Sequence, residues 1–104
     1  MVNTYFGRLC FDVEVKEVGE EKKKVMNNRL AMRVSKNQTT FIDLVAWEGT
    51  AELIAKYYKK GYEILLQGTL INKKVLVGEK EIEGVAISVN EIIFTSGNPK
   101  ENEE

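Results

Sequence analysis

The chain has 104 residues, 43% hydrophobic and 30% charged, a composition that suits one globular domain and argues against a disordered, collagen-like or disulfide-stapled chain. It contains no histidine and one cysteine, which excludes a Cys/His zinc site and a His-based catalytic triad. Its 15 basic and 16 acidic residues give a formal net charge of −1, so any nucleic-acid surface must be a local patch.

The cysteine count, the lengths of the apolar runs and the first residues predict the compartment of the protein. The single thiol, Cys10, cannot form an intrachain disulfide and is typical of a reducing environment. No run approaches about 18 apolar residues, and the first residues lack a signal-peptide pattern. We therefore expect a cytoplasmic protein with no membrane partner.

Residues 97–104 are polar and acidic, which predicts a short disordered tail after a domain of residues 1–96.

Alternating hydrophobicity predicts three strands in the first half of the chain. Residues 3–16 alternate with Leu9 and Phe11 on the inward side, and Gly7 marks a sharp bend of the kind a barrel corner needs. A second strand, residues 25–34, follows a polar turn. The third strand, residues 40–47, begins after a polar loop.

The second half begins with a change of period. Residues 51–60 carry a helical apolar stripe, with Thr50 as the expected N-cap. Two further strands follow at residues 62–77 and 82–94, with a turn between them at residues 78–80. The order β-β-β-α-β-β predicts an all-β fold with one short helix, the five-stranded OB-fold barrel, in which the helix closes one end.

The third strand carries the most informative side chains. Ile42 and Leu44 share the inward side, so Phe41 and Trp47 must point outward, about 20 Å apart at 3.3 Å per residue. Exposed rings at that spacing suit stacking on successive bases of a single strand, at about 1–3 kcal/mol per base. The rings could instead fill a dimer interface. Asp43, between them, opposes phosphate binding by charge repulsion.

Cations flank these rings in the predicted fold. Arg29 and Arg33 lie on the outward side of the second strand, and Lys36 lies in the loop after it. Single-strand binding combines such cations, which follow the phosphates, with aromatic rings, which hold the bases. An ordinary solvated strand face is the other interpretation of the same charges.

Three segments together resemble the bacterial and phage single-stranded DNA-binding protein family. Residues 41–70 combine an aromatic-led strand, a second aromatic six positions later, an Ala-Glu helix ending in a Lys-Gly step, and a strand ending in Gly-x-Leu. The opening Phe6-Gly-Arg-Leu9 resembles the family's Val-Gly-Arg-Leu motif, and residues 29–34 resemble its second strand. The resemblance spans residues 3–94.

The resemblance implies roles for particular residues. Phe41 and Trp47 match base-stacking aromatics, and four lysines match basic positions near the DNA path: Lys59, Lys60, Lys73 and Lys74. Two other stacking positions fall at Gln38 and Val75, and a basic position on the third strand is Asp43. The resemblance further implies no cofactor and a homo-oligomer, a tetramer or dimer, in which the first strand pairs between subunits.

The sequence thus predicts a non-catalytic, sequence-tolerant single-stranded DNA-binding protein that supports replication, recombination or repair, with replication and recombination proteins as further partners. The short acidic end without an apolar tip fits a minimal member, such as one from a phage or mobile element. An alternative from another class is an OB-fold interaction module of a replication or primosome-like assembly, with the aromatic face buried against a partner. An RNA-binding OB domain would use the same physics.

Overall fold

The computed structural model describes residues 1–95 and residue 98. Within this part, six strands and one helix follow one another along the chain: β1 (Val2–Leu9), β2 (Val15–Val18), β3 (Lys23–Ser35), β4 (Gln38–Trp47), α1 (Glu48–Tyr57), β5 (Glu63–Val77) and β6 (Lys80–Ile93). The tail predicted for residues 97–104 lies outside the described residues, apart from Asn98.

The strands form one closed sheet. Neighbours follow the order β1-β5-β6-β4-β3-β2, and an additional β1–β3 pairing closes a ring of five strands, with β2 appended to β3. All ladders are antiparallel except β4–β6, which is parallel because α1 separates β4 from the final hairpin. A five-stranded barrel with a helix between its third and fourth strands is the OB-fold, so the predicted fold class is confirmed.

The predicted first strand is interrupted. Strand β1 ends at Leu9 and β2 begins at Val15, so the expectation of one strand over residues 3–16 is wrong, and Phe11 is exposed rather than inward. Gly7 lies where β1 passes from β5 to β3. A Cβ there would lie 2.6 Å from the Ala31 carbonyl oxygen, so only glycine permits this close approach.

A buried asparagine holds the interrupted segment. Asn28 is 6% exposed on the inward side of β3, where the alternation would place an apolar residue. Its side-chain oxygen accepts from the Phe11 and Arg29 amides at 3.1 and 2.8 Å, and its amide nitrogen donates to the Phe11 carbonyl at 3.0 Å. The side chain therefore replaces the ladder hydrogen bonds that the break between β1 and β2 removes.

The barrel interior is apolar, and α1 covers one end of it. The most deeply buried large side chains come from every barrel strand and the helix: Leu9, Met26, Leu30, Leu44, Ile54, Ile64, Leu66 and Ile87. Each contributes about 1.5–3 kcal/mol by leaving water. Tyr58 follows the helix into this core, and burial raises the pKa of its hydroxyl. No helix in the described residues is long and apolar enough to cross a membrane.

The helix begins earlier than its sequence predicts. Trp47 is the residue before its first turn and provides no side-chain cap, so the expectation that Thr50 caps the helix is wrong. Glu48 has a φ of 52°, and this turn takes the chain from β4 directly into α1. Ala51 and Ile54 form the buried side of the helix.

Strands β5 and β6 extend beyond the barrel as a two-stranded hairpin, here called the arm, formed by residues 70–77 and 80–85. The tip is a two-residue turn, since Val77 pairs with Lys80, and Gly78 there has a φ of 65°. Every residue from 70 to 83 is exposed, including Leu76, which is 75% exposed. Both faces of the arm are therefore accessible to solvent.

Candidate nucleic-acid interface

The outward side of β4 presents two aromatic rings. Phe41 is 51% exposed and Trp47 is 44% exposed, whereas Leu44 and Ala46, on the other side of the same strand, are buried. The strand alternation therefore places both rings outside the core, as the sequence predicts. Their exposure leaves room for flat ligands.

A cation lies against the first ring. The Arg29 guanidinium carbon is 5.3 Å from the centroid of the Phe41 ring, within the range of a cation–π contact. Arg29 reaches it because Ala31, two residues along β3, is the register partner of Phe41 and has a small side chain. A base that stacks on Phe41 would share the ring with this guanidinium, which could also contact the adjacent phosphate.

A second group of cations lies where β3 turns into β4. Arg33 donates from Nη2 to the carbonyl oxygen of Lys36 at 3.1 Å, which holds its guanidinium at the loop. A groove of about 720 Å³ opens here and is lined by Phe6, Arg8, Arg33 and Lys36 among others. Arg8 donates to the Gly61 carbonyl at 2.6 Å and lies 3.8 Å from a Glu63 oxygen, so part of its charge is already paired.

Phe6 is an aromatic that the sequence reasoning missed. It is 50% exposed on β1 and lines the same groove as Arg33. The strand alternation could have revealed it, because Phe6 shares the outward side of β1 with Arg8 and lies opposite to buried Leu9. The structure thus adds a third exposed ring to the basic side of the barrel.

An ion pair bridges β4 and the arm. Lys73 Nζ lies 2.7 Å from Asp43 Oδ2, and both side chains are partly exposed. The two residues are separated by β6, where their register partners are Gly84 and Ala86. Because those partners are small, Lys73 can reach across the intervening strand. The pair neutralises one of the predicted phosphate-binding cations and also neutralises the carboxylate that opposes phosphate.

The remaining predicted lysines lie elsewhere. Lys74 follows Lys73 on β5 and therefore points to the opposite face of the arm, where its register partner is Glu83. Lys59 and Lys60 are exposed in the connection between α1 and β5. The structure therefore brings together six of the nine predicted residues on one outward side: Arg29, Arg33, Lys36, Phe41, Trp47 and Lys73.

The part of the chain that the structure describes holds no candidate metal-binding cluster. Within residues 1–95 and residue 98, no group of three or more His, Cys, Asp or Glu side chains could hold a metal ion. Cys10 is half-buried and its thiol lies 3.8 Å from the Arg8 carbonyl oxygen, at the limit of a weak hydrogen bond. The arrangement of rings and cations is that of a binding surface.

An OB barrel with exposed rings and cations on one outward side defines a class of oligonucleotide- or oligosaccharide-binding domains. The sequence model of the Single-strand binding protein family matches residues 3–95, and the chain belongs to that family. A curated single-stranded DNA-binding protein of Malacoplasma penetrans (strain HF-2) is 35% identical over 65 residues, which cover 62% of this chain. The matched part spans only 32% of that relative.

Proposed function

We propose that this chain binds single-stranded DNA without catalysis and with broad sequence tolerance. The observation that carries the proposal is the pair of exposed rings, Phe41 and Trp47, on one outward side of the barrel together with Arg29, Arg33 and Lys36. Bases stack on the rings, and the cations follow the phosphates. Membership of the family and the name of the Malacoplasma penetrans relative support single-stranded DNA as the ligand.

The groove beside Phe6 extends this path toward β1. Phe6 offers a third surface on which a base can stack, and Arg33 and Lys36 lie along the same groove. With few unpaired cations on this side, the binding depends more on stacking than on charge. Its salt dependence is therefore modest, with a slope of about −0.7 for each phosphate neutralised.

The proposal is tested by titrating the protein with fluorescein-labelled oligo-dT of about 15 nucleotides, within the range of an OB-fold site. Phe41→Ala weakens binding by about 5- to 150-fold, equivalent to the 1–3 kcal/mol of one stacking contact. Phe11→Ala is the matched control, because Phe11 is similarly exposed at 55% but lines a different pocket, together with the acidic residues Asp12 and Glu14. Equal binding by both variants, or no binding of oligo-dT by the folded protein at low salt, contradicts the proposal.

We further propose that the chain forms a homo-oligomer through β1. Residues 2–7 of β1 pair with β5 along one edge, while in the described part of the chain β3 covers the other edge only at Arg8 and Leu9. An uncovered edge of this length is a template for pairing with a second copy. Native mass spectrometry gives the assembly size. A monomer at micromolar concentration contradicts this part of the proposal without affecting DNA binding.

The alternative is an interaction module whose Phe41/Trp47 face is buried against a partner, and the exposed apolar arm adds a second surface of that kind. Leu76 and Val77, which are 75% and 57% exposed, make its tip a surface that a partner protein could cover. The double variant Phe41→Ala/Trp47→Ala separates the two functions. Loss of oligo-dT binding at unchanged native mass supports base stacking, whereas dissociation into smaller species supports a protein interface at the rings. A protein that binds single strands in this way would support replication, recombination and repair.

A further inference from the structure

A small pocket lies between the second ring and the base of the arm. It encloses about 210 Å³ and is lined by Trp47, Asp43, Lys73 and Ile71 among others. That volume is below the roughly 300–1,000 Å³ of typical small-molecule sites, so it suits one heterocyclic ring system better than a whole cofactor. The pocket adjoins the path proposed for the single strand, because Trp47 forms part of it.

The pocket combines an aromatic ring with one charged acceptor and one charged donor, and Asn27, Asn28 and Asn72 also line it. Trp47 offers a surface for stacking, and Ile71 and Ala86 supply apolar contact. A carboxylate can only accept hydrogen bonds, and an ammonium can only donate them. The Asp43–Lys73 pair, at 2.7 Å, therefore presents an acceptor group next to a donor group. Such a pair complements the edge of a base that carries a donor next to an acceptor.

Guanine is the base whose edge matches best. Its N1–H and N2–H₂ are two neighbouring donors for one carboxylate, and its O6 accepts from an ammonium. Thymine places its N3–H between two carbonyl oxygens, so one of them would face the carboxylate. Adenine and cytosine present one amino group next to an acceptor nitrogen. Only guanine offers both oxygens of Asp43 a donor.

We propose that the Trp47–Asp43–Lys73 pocket selects guanine at one position of the bound single strand. This rests on the proposed function, and it adds one discriminating position to an otherwise tolerant path. Because Lys73 neutralises Asp43, this pair offers no net positive charge to a phosphate, which favours entry of a base rather than of the backbone.

The test compares oligo-dT with oligo-dT in which one central residue is dG, dA or deoxyinosine. The dG oligonucleotide binds at least about fivefold more tightly than the dA one, the lower end of the range for a good bidentate base contact. The dA arm controls for the larger stacking area of a purine. Deoxyinosine lacks only the 2-amino group, so it loses most of the preference without any change to the protein.

Two variants locate the preference. Asp43→Asn abolishes the discrimination between dG and deoxyinosine, because the carboxylate that accepts from the 2-amino group is gone. Glu83→Gln removes one negative charge from the opposite face of the arm and keeps the discrimination. Equal binding of dG, dA and deoxyinosine oligonucleotides, with oligo-dT still bound, overturns the guanine proposal alone. Failure to bind any oligonucleotide overturns the proposed function as well.

Discussion

Replacing Asn28 with alanine tests the internal support of the barrel. The side chain makes three hydrogen bonds, two to the Phe11 backbone and one to the Arg29 amide. Each contributes about 0.5–1.5 kcal/mol net. Because these contacts are only partly buried, water restores some of the lost bonding in the variant. We therefore expect the free energy of unfolding to fall by about 2 kcal/mol.

Asn27→Ala is the matched control, because Asn27 is the same residue type one position earlier and is exposed. It should change the free energy of unfolding by less than about 0.5 kcal/mol. Urea unfolding followed by circular dichroism measures the free energy of unfolding of both variants, and equal m-values mean that their midpoints compare stability directly. For a domain of this size, the Asn28 variant should melt roughly 8–16 °C lower. Equal midpoints for the two variants would refute the view that Asn28 replaces missing ladder bonds.

Three further predictions follow from close packing, strand parity and burial. Gly7→Ala lowers the free energy of unfolding by about 1–3 kcal/mol through overlap with the neighbouring strand, while Gly49→Ala, with open space around it, is neutral or stabilising in the same urea titration. Arg33→Ala weakens oligo-dT binding and reduces its salt slope by about 0.7. Lys74→Ala, on the other face of the arm, causes a smaller loss of affinity for oligo-dT. A larger loss for Lys74→Ala than for Arg33→Ala would contradict the proposed path. Burial raises the pKa of Tyr58, so the stability that its protonated hydroxyl contributes below pH 10 is lost as the pH rises through the folded-state pKa. Tyr58→Phe reduces that loss when the free energy of unfolding is measured between pH 9 and 11. The same pH dependence in the variant and the original protein would contradict this prediction.

The strands and their faces were predictable because the alternation of β3 and β4 is nearly unbroken. Parity placed Leu44 inside and Phe41 and Trp47 outside, and the structure agrees. The same reasoning failed at Phe11, because parity holds only while the strand continues. The chain breaks its pairing after Leu9, and the compensating bonds from Asn28 come from 17 residues away.

The candidate site was predictable only in part, since its charges depend on which strands are neighbours. The Asp43–Lys73 pair joins residues 30 apart, on strands that do not pair with each other. Its formation requires both the parallel β4–β6 ladder and two small residues on β6. Local patterns reveal neither condition. Opposite orientations of Lys73 and Lys74 could have been inferred from strand geometry alone.

The short contact between β1 and β3, here called the latch, closes the five-stranded barrel. It comprises two register pairs, reinforced by the Cys10 amide donating to the Arg29 carbonyl at 2.9 Å. Native fluctuations that release this latch would unroll the barrel into an open strip, with less disruption than global unfolding requires. Amide hydrogen exchange at Cys10 would report that opening. An unrolled strip has two bare ends, and two such molecules could close each other's rings by exchanging β1.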